Sequence, residues 1–211
     1  MTDTVNRSAW DSKDAKHVPS APIKLSPNDV FTTSDGEASN FSVGDYWSWA
    51  YSDLKANTNR GSLGEFLVAQ ALGLKMGVQA SWEPFDLQTP RGTKVEVKTS
   101  GYMQAWAQSE LYPIQFGGLK AQAPDSGTEQ STFNADIYVF CVQTAQSHAE
   151  YDSLNTDQWR FYVARSDFLK QKNQKTMRET TLRQSGFKSV TFSQIAQEFS
   201  RLESELHYSA P

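Results

Sequence analysis

The chain has 211 residues, 20 basic against 24 acidic, and a net charge of −4. That length holds one full α/β domain with a sizeable core and little more. No run approaches the ~18–20 apolar residues of a membrane-spanning helix, and no apolar signal core opens the chain, so the expectation is a soluble, cytoplasmic protein with no membrane partner.

Residues 1–42 are rich in Ser, Thr, Asp and Asn, carry Pro19, Pro22 and Pro27, and show no sustained apolar period. They are expected to form a flexible or disordered arm ahead of a folded domain over residues 43–211. Ser42-Val43-Gly44-Asp45 reads as a capping box opening a helix, whose stripe of Val43, Tyr46, Trp47, Ala50 and Leu54 is expected in the core. A second helix is expected from Asn59, as N-cap, to a stop at Gly73. Within it Glu65 has Gly61, Ser62, Val68 and Ala69 three and four residues away, and no Lys or Arg of the helix placed to neutralise it. It is expected to face inward towards a metal, a metal-bound water or a distant base. The alternative is a capping or partly exposed glutamate.

A β-hairpin follows. Ser81–Leu87 and Thr93–Thr99 read as its strands, joined by Gln88–Gly92, where Pro90 presets φ and Gly92 accepts a left-handed conformation. With Leu87 opposite Thr93, Asp86 pairs with Lys94 and lies diagonal to Glu96. Diagonal neighbours are about 7–8 Å apart at Cα, close enough for two carboxylates to grip one divalent ion. Lys94, Glu96 and Lys98 share one face of their strand, Val95 and Val97 the other. Other acid-x-lysine triplets occur at Asp11/Lys13, Asp14/Lys16 and Asp53/Lys55, but their contexts differ from that of Glu96.

Beyond the hairpin, Gly101–Trp106 is expected to start a helix, and residues 112–133 to form a long irregular loop that is functional or mobile. Ile137–Val142 is a continuous apolar strand covered on both faces, with Cys141, the single cysteine, as inert packing. Trp159–Ala164 is a further strand, Ser166 the N-cap of a short helix to Lys172, and Thr191 or Ser193 the start of a last helix with Ile195, Phe199 and Leu202 on one side. Between Arg165 and Lys188 seven basic residues face two acidic ones, so Lys170, Lys172 and Lys175 are candidate phosphate contacts, with a merely solvated surface as the alternative. His17, His148 and His207 show no zinc-ligand spacing.

The order of helix-borne Glu65, then Pro84-Phe85-Asp86, then Glu96-Val97-Lys98 resembles the PD-(D/E)xK nuclease superfamily, firmly from about Arg60 to Trp106 and less specifically over the two later strands. The resemblance implies an α/β fold of restriction-endonuclease-like type, a mixed central β-sheet of about four to six strands flanked by helices. It implies that Asp86 and Glu96 bind Mg²⁺ (or Mn²⁺), that Lys98 positions or activates the attacking water, and that Glu65 contributes to a metal or its water shell. The activity it implies is Mg²⁺-dependent hydrolysis of phosphodiester bonds, first of all in DNA and in a restriction or defence setting. An RNA-cleaving enzyme and a non-catalytic nucleic-acid-binding or assembly module of the same fold are the alternatives. Phe85 separates the proline from the aspartate, a departure from the family pattern that leaves Asp86 in place. Gln104 resembles the glutamine that some branches carry behind the lysine strand, and with Arg60 and Lys94 it joins the candidates for nucleic acid contact. One active centre per chain leads to the expectation of a homodimer.

Overall fold

The computed structural model describes residues 22–79, 84–122 and 131–208. Of the segment expected as an arm, residues 1–21 lie outside the described residues, while the remainder carries a hairpin. Its strands β1 (Val30–Thr32) and β2 (Ala38–Ser42) pair antiparallel, with the Phe31 and Phe41 rings 5.2 Å apart. Ser42 then opens α1 (Val43–Tyr51) through the expected capping box: its hydroxyl accepts from the Asp45 N–H, and the Asp45 carboxylate accepts from the Ser42 N–H. The aromatic stripe of α1, however, turns outward. Only Val43 is buried, while Tyr46, Trp47, Trp49 and Tyr51 are exposed. Helical spacing defines a face but not the surface that face meets, and α1 packs mainly on β2.

The second helix, α2 (Asn57–Ala71), starts two residues before the expected Asn59 cap, after Ala56, which supplies no side-chain cap. Asn59 instead donates its amide to the carbonyls of Ala50 and Asp53, tying α2 to the end of α1. Gly73, at φ 65°, stops the helix as expected. Next come β3 (Leu87–Gln88), β4 (Lys94–Gly101), and the short strands β5 (Gln115–Phe116), β6 (Ala121–Gln122) and β7 (Ser131–Thr132). The chain continues through β8 (Ile137–Gln143), β9 (Trp159–Arg165), α3 (Ser166–Lys172), β10 (Met177–Arg178), α4 (Glu179–Gln184) and α5 (Ile195–Tyr208).

The central sheet has the order β3-β4-β8-β9, with β4 and β8 parallel and the outer pairs antiparallel. Every residue of β8 is buried, as a strand covered on both faces requires. On one face Val95, Val97 and Val139 pack against Leu67 and Val68 of α2 and Phe199 of α5. On the other, Tyr138, Phe140 and Tyr162 pack against Phe116, Leu169 of α3, Met177 and Leu182 of α4. The fold is therefore mixed α/β, a mixed central sheet flanked by helices. No helix among the described residues is long and apolar enough to cross a membrane.

Three expectations shift. The helix expected from Gly101 does not form. Residues 102–112 are a loop braced by Gln108, whose side chain accepts from the Gln104 N–H and donates to the Tyr102 carbonyl. Ser166 is the first residue of α3 and not its cap, since Arg165 holds that place. The stretch 112–133 is only partly irregular: β5 pairs with β10 and β6 with β7, and residues 123–130 lie outside the described residues.

Candidate active site

The turn between β3 and β4 is closed by Thr89, whose N–H donates to the Thr93 carbonyl, and by Gly92, whose N–H donates to the Thr89 carbonyl. Gly92 sits at φ 85°, where a side chain would be strained. The turn sets Leu87 opposite Val95 and Gln88 opposite Lys94, a register two residues along from the expected one. Because side chains alternate with period two, a shift of two leaves each of them on its expected face. Asp86 comes level with Glu96 instead of diagonal to it. Its N–H donates to the Val95 carbonyl, and its Oδ2 accepts from the Val97 N–H at 2.6 Å. The strand is also shorter than expected at its start, and Ser81, Trp82 and Glu83 lie outside the described residues.

Glu96 and Lys98 share the face opposite Val95 and Val97. Lys98 Nζ lies 2.5 Å from Glu96 Oε1, and the two side chains are 23% and 12% exposed. Glu96 is level with Tyr138 of β8, whose hydroxyl donates to the Leu119 carbonyl. Gly118, at φ 64°, carries the backbone over the ammonium, so that a Cβ there would lie 3.8 Å from Lys98 Nζ.

Glu65 arrives from the other layer. Gly64 lets α2 approach β4 so closely that a Cβ at this position would meet Thr99 Oγ1 at 2.1 Å. The next residue, Glu65, thereby comes within electrostatic range of Asp86, Glu96 and Lys98, and it accepts from Gln79 Nε2 at 2.6 Å. Loss of water pushes its pKa up to about 7, with the Asp86 charge adding to the rise and Gln79 and Lys98 opposing it. Burial also raises Asp86, against the Val97 N–H and Lys98, and raises Glu96, where Asp86 adds and Lys98 opposes. Asp86 is the most open of the three, so water screens its charge most. Three carboxylates share one lysine, and the site is short of positive charge.

Among the described residues no three His, Cys, Asp or Glu side chains are gathered tightly enough to hold a metal ion by themselves. Mg²⁺ needs less, since it is usually bound by one or two carboxylates with water and substrate phosphates completing its octahedron. Hard oxygen donors carrying excess negative charge fit such an ion, with Asp86 and Glu96 as the facing pair.

Arg60 and Gln104 are also brought together, but in the interior. Arg60 donates to the Met103 carbonyl, to Gln104 Oε1 and to Asn57 Oδ1, and Gln104 Nε2 donates to the Gly101 carbonyl. Both side chains are buried, so these two candidates for nucleic acid contact brace α2 against the loop after β4. Lys94 is exposed at the outer end of the site with its ammonium over the Phe85 ring. Lys170, Lys172 and Lys175 are exposed on α3 and the turn after it.

Two features escape sequence reasoning. Gln79 stands between Val78 and Ala80 after the stop of α2, with no pattern to mark it. A second buried carboxylate, Glu179, takes Arg160 Nε at 2.7 Å and the hydroxyls of Tyr162 and Tyr102 at 2.7 and 3.3 Å. Its signal is Arg160, a cation set between Trp159 and the apolar run of residues 161–164, which requires a buried acid without saying which one. No family model matches the chain, and no curated protein matches it.

Proposed function

We propose that the protein is a divalent-metal-dependent phosphodiester hydrolase acting on DNA, with a restriction-endonuclease-like fold. The observation that carries this reading is the meeting of Asp86, Glu96 and Lys98 along one hairpin with Glu65 brought alongside by α2, a carboxylate cluster with too little positive charge of its own. Asp86 and Glu96 would hold Mg²⁺ or Mn²⁺, with Glu65 reaching it directly or through water. The ion would supply neutralisation of the scissile phosphate and a lowered pKa for the attacking water.

The chain's own groups do the rest. The Val97 N–H fixes the Asp86 carboxylate, and pairing of β4 with β8 fixes the backbone that bears Glu96 and Lys98. Lys98 orients the nucleophilic water through its ammonium protons and stabilises the negative charge that develops on the phosphate. The raised carboxylate pKa values belong to the metal-free cluster, so binding of a cation releases protons and tightens as pH rises.

Purified protein incubated with plasmid, linear duplex, single-stranded DNA and RNA, each with Mg²⁺, Mn²⁺ or EDTA, tests this directly. DNA should be cut in Mg²⁺ and left whole in EDTA. Cutting of RNA alone would move the substrate to RNA. Retention of nucleic acid without cutting under any metal would make the domain a binding module. One centre per chain cuts one strand, so cutting both at a site calls for two copies, sequential nicking or a partner; the expected arrangement is a homodimer, which light scattering with and without DNA would detect.

A further inference from the structure

The basic stretch of the sequence folds into α3, the turn after it, β10 and α4, on the side of the sheet that carries Glu96 and Lys98. Leu169, Met177 and Leu182 anchor it in the core there. Its turn forms a cleft of about 430 Å³ lined by Gln174, Lys175, Thr176, Arg178 and Thr181, with no carboxylate in the lining.

Two observations describe the charge of this cleft. Its cations are unspent. Among the described residues the side chains of Lys175 and Arg178 have no ion-pair or hydrogen-bond partner, whereas Arg160, Arg165 and Arg201 are paired with Glu179, Asp167 and Glu198. The neighbouring acid is committed elsewhere. Glu179 follows Arg178 directly but turns inward to Arg160, Tyr162 and Tyr102, and so leaves the cleft its full positive charge.

The cleft is also held in shape. Met177 is fully buried and Arg178, next along β10, is exposed, so strand alternation fixes the direction in which the guanidinium leaves. Asn173, at φ 52°, ends α3, and its side chain accepts from Lys120 Nζ at 2.6 Å. The strand β10 pairs with β5, Met177 opposite Phe116 and Arg178 opposite Gln115. Two residues past Phe116, Gly118 lies against the Lys98 ammonium. The ribbon therefore ties the segment that carries the cleft to the chain that borders the candidate active site, with Gly118 running past Phe116 on the side where Lys175 and Thr176 precede Met177.

We infer that this cleft binds a backbone phosphate of the same nucleic acid strand whose scissile phosphate lies at Lys98. Lys175 and Arg178 are its cations, and Thr176 and Thr181 its neutral donors. An arginine fork beside a lysine matches phosphate oxygens in both geometry and charge. Such a contact positions the strand without reading its bases. The inference rests on the reading of the site as a phosphodiester hydrolase.

The test compares wild type, a Lys175→Ala/Arg178→Ala double variant and Lys98→Ala. Binding of labelled duplex DNA, single-stranded DNA and RNA is measured in EDTA over a range of salt, and cleavage is measured in Mg²⁺. Both cleft side chains are exposed, so the double variant should melt with wild type. Its affinity should fall about 10-fold at moderate salt, and its salt slope by about 1–2. Cleavage should drop at low DNA concentration and recover at saturation, a KM effect. Lys175→Arg/Arg178→Lys should restore the slope. Should the double variant melt early, the single Lys175→Ala carries the same test with a slope loss of about 1. Wild-type affinity and slope in the double variant would overturn the cleft, whatever happens to cleavage. Lost binding in the double variant together with an uncleaving wild type would keep the cleft and overturn the hydrolase reading.

Discussion

Two carboxylate clusters stand on one sheet and meet their charge in opposite ways. At the β3–β4 end, Glu65, Asp86 and Glu96 share Lys98, and all three have raised pKa values. Over β9, the single carboxylate of Glu179, at the start of α4, receives Arg160 and two tyrosine hydroxyls, and burial together with that carboxylate pushes the Tyr162 hydroxyl up to about 12. Glu96 and Glu179 are both withdrawn from water, so withdrawal alone is not what separates the two clusters. The Glu179 cluster is closed, with more donors than acid. The Glu65/Asp86/Glu96 cluster is open, with more acid than donors, and its surplus of negative charge is what a bound cation would offset under the proposed function.

That contrast can be broken most sharply at Lys98 and at Glu179. Lys98→Ala should lower DNA cleavage by about 10²–10³, as removal of a comparable electrostatic stabiliser does, with the fold and DNA retention in Ca²⁺ preserved. Cleavage at the wild-type rate would end the assignment of Asp86, Glu96 and Lys98 together. Glu179→Ala should act on stability instead. Stripping the buried partner from Arg160 should cost about 3 kcal/mol in a urea titration, the low end for a broken buried pair because the Arg160 side chain remains 31% exposed. A variant that unfolds at the wild-type urea midpoint would show that Glu179 is no structural tie.

A third change tests how the open cluster is assembled. Gly64→Ala drives a methyl into Thr99 and should cost about 1–3 kcal/mol as α2 gives way. Because Glu65 rides on the same turn, cleavage at a temperature where the variant is folded should fall as well. Full activity would mean that the Glu65 position is not critical.

The smallest effect is in pH. Glu65 titrates near 7 in the folded protein, against 4.5 for an unperturbed glutamate, so between these values the folded state holds more protons. Its stabilising contribution is complete below the unfolded value and is lost as pH rises through 7. Without divalent cation, stability should therefore fall from about pH 5 to 8, by on the order of 1 kcal/mol for this group since it stays partly open to water. Melting curves of Glu65→Gln should show a shallower decline, since Asp86 and Glu96 are raised as well, and saturating Mn²⁺ should reverse it in wild type but much less in Asp86→Asn. Parallel pH curves for wild type and Glu65→Gln would remove Glu65 from the cluster.

What could be read from the sequence follows the range of each signal. The faces of β4, the stop at Gly73, the turn at Gly92 and the capping box at Ser42 depend on neighbours a few residues away, and all stand as expected. The β3–β4 register lies two residues from the expected one because the five-residue turn sits one residue further along, at 89–93 and not 88–92, yet period-two alternation keeps Asp86 and Glu96 on one face. The outward aromatics of α1, the Arg60–Gln104 brace and the Arg160–Glu179 pair depend on which distant element is packed alongside. Periodicity carries no such information. Arg60 illustrates this best: an arginine near a suspected active site is a natural phosphate contact until a glutamine 44 residues away takes its guanidinium indoors.

The parallel pairing of β4 with β8 also bears on the order in which the chain matures. All four residues of the open cluster lie between Glu65 and Lys98, but the strand that bears two of them is clasped by β8, with Val95 beside Ile137 and Gly101 beside Gln143. Closing so long a loop is entropically costly and is repaid only when β8 is in place. During synthesis the acidic cluster would thus exist in sequence well before it exists in space, and a chain cut short before β8 would carry all four side chains without the strand that holds them together.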